Sequence, residues 1–181
     1  RMLDKLCCSP EFLIATGRSI NKERMKDQYV VLRAMAFLML HRGEFKDIPA
    51  LQYRGDIDDF LARFMVYVND NAPEKLIVDY ENLFIRCMQI SYDLLGENGF
   101  RFSGNGIRRP INMPLFEALS YLFSFVPEKI DYTWASRLIL DIESVKEEFD
   151  DSRYFSGNID STTSVSFRFD RMDKIINRIQ L

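Results

Sequence analysis

The stretch KERMKDQYVVLRAMAFLMLH, residues 22–41, decides the fold class. Met25, Tyr29, Leu32, Met35, Ala36, Phe37 and Leu40 leave almost no polar side. A helix that is apolar nearly all round is one surrounded by other helices. Its longest apolar run, Ala34 to Leu40, falls far short of the ~20 residues a bilayer crossing needs, so the stretch predicts a central core helix and no membrane partner.

Working outward, the same periodicity recurs. Ser9-Pro10 before Glu11 to Thr16, with Gly17 beyond, has the cap, first-turn proline and terminal glycine of a short helix. Asp56 precedes a stripe of Ile57, Phe60, Leu61, Phe64, Met65 and Val68. Pro73 opens a longer pattern that runs through Tyr80, Phe84, Cys87 and Leu95 until Gly96. Asn112 and Pro114 begin another, ending near Pro127, and Tyr132 to Phe149 carries Trp134, Leu138, Ile142 and Val145 on one face. In the last segment Val165, Phe167 and Phe169 alternate like a strand. Val165, Phe169, Met172, Ile176 and Ile179 keep helical spacing, and helix is the reading adopted, with Ser161 or Thr162 as cap. The expectation is an all-α bundle of six or seven helices, one domain over residues 1–181.

Composition bounds the rest. With 181 residues, 47% hydrophobic and fifteen Phe, the chain has the material for one core, burying roughly 70% of the surface its unfolded form exposes. A formal charge of −3 gives no global attraction to nucleic acid or anionic lipid, so such contact needs a local basic patch. Cys7, Cys8 and Cys87 are odd in number with no Cys-x-x-Cys spacing, which indicates neither a disulfide framework nor a zinc site and fits a reducing, cytoplasmic setting. The opening Arg1-Met2-Leu3-Asp4 reads as helix interior, and a preceding segment is expected.

Catalytic chemistry is hard to assemble. His41 is the only histidine, which removes multi-histidine metal sites, and its place beside Arg42 and Gly43 at a helix end speaks against a Ser-His-Asp or Cys-His arrangement. At a helix C-terminus it suits an imidazolium favoured by the dipole. Glu147, Glu148, Asp150 and Asp151 read as a solvated run and not as an acid–base pair. No cofactor is indicated. Gly99, Gly104 and Gly106 with Arg108 and Arg109, in the segment 96–112 that also holds Arg101, have the makings of a phosphate cradle but lack the Gly-Lys-Ser/Thr ending of a P-loop. A plain loop is the simpler reading. Asp93 and Glu97 are the nearest acids. Arg171, Lys174 and Arg178 share a helix side suited to a nucleic-acid backbone, yet Asp170 and Asp173 interleave; with Arg101, Arg108 and Arg109 they are the candidate nucleic-acid contacts. Arg33 interrupts the most apolar helix and Glu117 another. An unpaired buried guanidinium costs several kcal/mol, so an Arg33–Glu117 ion pair tying the two helices is expected. Phe-Ser-Gly-Asn occurs at 102–105 and 155–158 without a repeat period.

Arg24-Met25-Lys26-Asp27 leading to Leu32-Arg33 and Ala36-Phe37, then Phe60-Leu61, Gly96, Phe100-Arg101, Asn112, Phe116-Glu117, Phe155-Ser156-Gly157 and Arg171 together resemble the helical C-terminal part of the domain of unknown function 262 family. That family includes the GmrSD-type modification-dependent restriction enzymes and related phage-defence proteins. The resemblance implies a larger protein with a ParB-like N-terminal domain bearing nucleotide-hydrolysing or nuclease chemistry, including an Asp-Gly-Gln-Gln-Arg motif. Neither that motif nor a His-Asn-His segment occurs here, so no enzyme role passes to this chain. What the resemblance carries over is architectural: Arg33, Phe37, Phe116 and Glu117 as packing and ion-pair positions. It implies a non-catalytic scaffold whose partners are that N-terminal domain, a second copy in a homodimer, or DNA. The competing expectation is a stand-alone protein-interaction domain with an apolar groove for a partner helix.

Overall fold

The structure, a computed structural model, describes residues 2–104, 106–151 and 157–179. Eight α-helices are found among them: α1 (Met2–Cys7), α2 (Pro10–Ala15), α3 (Lys26–His41), α4 (Ile57–Asp70), α5 (Glu74–Leu95), α6 (Met113–Phe123), α7 (Tyr132–Asp150) and α8 (Thr162–Ile179). The all-α fold holds, with the short α1 as the helix beyond the expected number.

The caps explain where the helices start. Ser9 Oγ accepts from Phe12 N at 3.3 Å, Asp56 Oδ1 from Asp59 N at 3.0 Å, Asn112 Oδ1 from Leu115 N at 2.9 Å and Asp131 Oδ1 from Trp134 N at 2.8 Å. Each satisfies a first-turn amide that has no partner inside its helix. For α8 the cap is Ser161, whose Oγ accepts from Ser164 N at 3.1 Å.

The central helix starts later than its sequence pattern. Arg24 and Met25 both have φ +55, and a 3₁₀ turn at Glu23–Met25 precedes α3. Asn21 competes with a helical start there, accepting from Glu23 N at 2.9 Å and donating to Glu23 Oε2 at 2.9 Å. Met25, counted above among core positions, is consequently 65% exposed. Beyond it α3 is what its composition predicts: every residue from Val30 to Met39 is buried.

Helices α1, α4, α5 and α6 pack on α3, and α8 packs on α6 and α7. Phe12, Phe84, Phe100 and Phe116 form one aromatic group, with Phe100 and Phe116 centroids 4.3 Å apart. Phe37, Tyr53, Phe60 and Phe169 form another, at 5.2–5.6 Å. Tilted and edge-on pairs at such spacing add about 0.5–1.5 kcal/mol each beyond the area they bury. Among the described residues no helix is long and apolar enough to cross a membrane.

Candidate functional site

Two places concentrate charged side chains, one inside the bundle and one at its surface. The first lies where α3, α6 and α8 meet. Arg33 of α3 donates from Nε to Glu117 Oε1 of α6 at 2.5 Å. Arg168 of α8 donates from Nη2 to Glu117 Oε2 at 3.1 Å and from Nη1 to the Ile159 carbonyl at 2.5 Å. Asp160 completes the set, taking both terminal nitrogens of Arg33, Nη2 at 2.6 Å and Nη1 at 3.2 Å. Tyr53 in turn donates its hydroxyl to the Asp160 carbonyl.

Side-chain exposure is 3% for Arg33, 0% for Glu117 and Arg168, and 25% for Asp160. Burial alone pulls the Arg33 guanidinium down, but Glu117 and Asp160 reverse the effect and leave it raised. Arg168 is lowered by burial, Glu117 only partly offsetting this. Both guanidinium groups stay charged at any biological pH. Glu117 is therefore a carboxylate bridging two buried cations, an arrangement worth little against an apolar substitute but costly to break at one member.

Next to this cluster, His41 ends α3 with its ring stacked on Phe169, centroids 3.5 Å apart and planes 10° from parallel. Its Nε2 is shielded from water and has no hydrogen-bond partner among the described residues. Burial, reinforced by Arg168, pushes its pKa down to about 3. The imidazolium expected from the helix dipole is thus replaced by a neutral ring, because desolvation and a nearby guanidinium outweigh the terminal dipole.

The second place is a cleft of about 630 Å³ between residues 97–104, 106–109 and α7. Arg101 builds its floor. Although only 4% exposed, it donates to the carbonyls of Glu97 at 3.3 Å and Thr16 at 3.2 Å, to the Arg109 carbonyl and to Ser19 Oγ. It pins the segment to the end of α2. Burial and the neighbouring Arg108 lower its pKa. Arg108 pairs with Glu97 at 2.9 Å, and this pair lies against Gly17, where an added Cβ would sit 2.1 Å from Arg108 Nη2. Arg109 pairs with Asp150, donates to the Ser103 carbonyl at 3.2 Å and lies over the Phe102 ring at 5.4 Å. Lys146 enters from α7, with Nζ 3.0 Å from Glu143 Oε1 and 3.5 Å from the Asn98 carbonyl.

On α8, Arg171 pairs with Glu148 and Arg178 with Asp141 at 3.0 Å, both carboxylates on α7. Lys174 is exposed. The three basic residues thus share a surface whose arginines also clasp α7, while Asp173 accepts from Tyr121 Oη at 2.8 Å. Of the nearest acids to the cleft, Glu97 takes part and Asp93 accepts from Gln89 at 2.8 Å instead. Cys7 and Cys87 are buried, and burial first of all pushes each thiol up to about 12, the opposite of a reactive thiolate. Asn105 and residues 152–156, which carry parts of both Phe-Ser-Gly-Asn segments and of the family pattern, lie outside the described residues, as does Arg1.

Sequence reasoning passed over Arg168, Asp160 and Lys146. Arg168 is three residues from Val165 and four from Met172, and Lys146 four from Ile142 and three from Phe149, so both stand on apolar stripes. Comparison of the chain with protein-family models, with curated proteins and with solved structures finds no match.

Proposed function

We propose that this chain is a non-catalytic helical scaffold or regulatory module of a bacterial restriction or phage-defence protein, docking on a separate catalytic domain and contributing to dimerisation or to weak DNA contact. The observation that carries the reading is the closed cluster of Arg33, Glu117, Arg168 and Asp160. Its charges are committed to one another across three helices, which is the work of holding a shape. Further support comes from the positions that carry the family resemblance. Arg33, Phe37, Phe116 and Glu117 are all at most 2% exposed and sit at helix contacts.

DNA contact is a subsidiary role on this reading. Arg108, Arg109, Arg171 and Arg178 each already hold a carboxylate, so a phosphate has to displace an existing partner. Fluorescence anisotropy of the chain with plain and cytosine-modified duplex DNA tests this. Weak binding that vanishes between low and physiological salt is expected, since the contact is made through phosphate charge. Tight binding that survives physiological salt, or that distinguishes modified cytosine, contradicts a scaffold and makes this a DNA-reading domain.

The stand-alone interaction domain is favoured by one observation of its own. A cleft of about 360 Å³ beside α4 is walled by Ile48, Leu51, Ala62, Val66 and Tyr67, and Val66 is 57% exposed.

A further inference from the structure

The surface cleft holds a buried cation at its wall with a hydrogen-bond donor to spare. Lys146 is 5% exposed, and an ammonium has three N–H donors. Two find protein acceptors, one of them the Asn98 carbonyl at the long distance of 3.5 Å. The third has no acceptor among the described residues, and the ammonium lines the cleft. Burying an ammonium this deeply beside a single carboxylate costs free energy unless something else completes its shell.

The surroundings say what would complete it. Four cations, Arg101, Arg108, Arg109 and Lys146, face two wall carboxylates, Glu97 and Glu143, in a chain whose net charge is −3. Asp150 lies beyond the wall and neutralises Arg109 in part. Arg108 and Arg109 are 45% and 39% exposed in their side chains, so both can swing from a carboxylate to an incoming anion at little cost. Phe102 lines the wall, and Ile107, 79% exposed, stands at the rim. A volume of about 630 Å³ is within the ordinary range for small-molecule sites and exceeds what a bare inorganic anion fills.

We propose that the cleft between residues 97–104, 106–109 and α7 binds a small phosphate-bearing molecule of mononucleotide size, anchored by Lys146 and flanked by Arg108 and Arg109. The phosphate takes the open Lys146 N–H and exchanges with Glu97 and Asp150 for the two arginines, while the Phe102 and Ile107 side offers apolar surface to the rest of the molecule. This role is independent of the scaffold reading, because duplex DNA and a small phosphate compound are separate probes.

Isothermal titration of the full chain with ADP, adenosine and inorganic phosphate tests it, with thermal melts of every variant. ADP is expected to bind and adenosine not to. Phosphate binding as tightly as ADP also supports the anchor and makes the phosphate group the whole of what is recognised. Lys146→Gln is expected to weaken ADP binding by about tenfold or more, as loss of a hydrogen bond to a charged group does. Lys146→Arg, keeping the charge, is expected to restore most of it. Arg108→Ala, at an exposed position whose ion pair adds little stability, is expected to weaken binding by about threefold. Lys75→Ala, on exposed α5 surface, is expected to change nothing. Three results overturn the proposal: no heat from either phosphate compound at millimolar concentration, unchanged ADP affinity in a folded Lys146→Gln, or equal binding of adenosine and ADP.

Discussion

The interior cluster and the surface cleft use the same chemistry to opposite ends. Inside, two guanidinium groups and two carboxylates from α3, α6, α8 and the turn before α8 close on each other, and nearly every charge is out of water. At the cleft, arginines are held by loop carbonyls and carboxylates, and Lys146, buried like Arg101, faces the opening with two acceptors for its three N–H groups. A set of opposite charges closed on itself away from water specifies structure. A set of cations facing an open cleft leaves room for an anion. Counting arginines would not separate the two; burial and access to an open cleft do.

The sharpest way to break the comparison is to remove the bridging carboxylate. Glu117→Gln leaves two buried guanidinium groups facing each other, and urea denaturation is expected to show a loss of about 3–5 kcal/mol. Arg33→Met is expected to cost slightly less, about 3 kcal/mol by the same measurement, because Glu117 keeps Arg168 and Asp160 is partly solvated. The matched loss in the cleft, Arg108→Ala, is expected to change stability by no more than about 1 kcal/mol, since the pair with Glu97 is exposed on both sides.

A pH series separates His41 from its neighbours. Its pKa is depressed to about 3 from an ordinary 6.5, so between those values the unfolded chain binds a proton that the folded chain does not. Stability from this group is full above pH 6.5 and falls as pH drops, with a limiting slope of about 1.4 kcal/mol per pH unit. His41→Phe, which keeps a ring over Phe169, is expected to flatten the difference between urea melts at pH 7 and pH 5. Arg168, Tyr53 and Tyr121 around the ring do not titrate in that window. The smallest effect is expected for Arg178→Ala, whose pair with Asp141 is 57% and 23% exposed; about 0.5 kcal/mol or less is anticipated in a thermal melt.

Much of the architecture was legible because it is written locally. Ser9, Asp56 and Asn112 each sit one residue before an apolar period and cap the helix they announce. Arg33 and Glu117 stood out as charges on apolar helices, and the desolvation cost of either alone pointed to the other. Arg168 and Lys146 were legible by the same rule, but each lies in a helix rich in other charges, where one more drew no notice. Asp160 was not legible, since nothing local shows that the turn before α8 folds back over α3. Nor was the left-handed pair Arg24-Met25, because side-chain periodicity carries no signal for a conformation that L-residues rarely adopt. The neutral state of His41 depends on Phe169 and Arg168, both brought to it from α8 by tertiary packing.

The division between a closed interior and an open cleft is tested most directly by a paired measurement: ADP affinity and urea stability on both Glu117→Gln and Lys146→Gln. The account predicts that Glu117→Gln loses several kcal/mol of stability while its folded fraction binds ADP as the natural chain does, and that Lys146→Gln stays folded and loses ADP binding. Stability unaffected by Glu117→Gln, or ADP binding unaffected by Lys146→Gln, contradicts it.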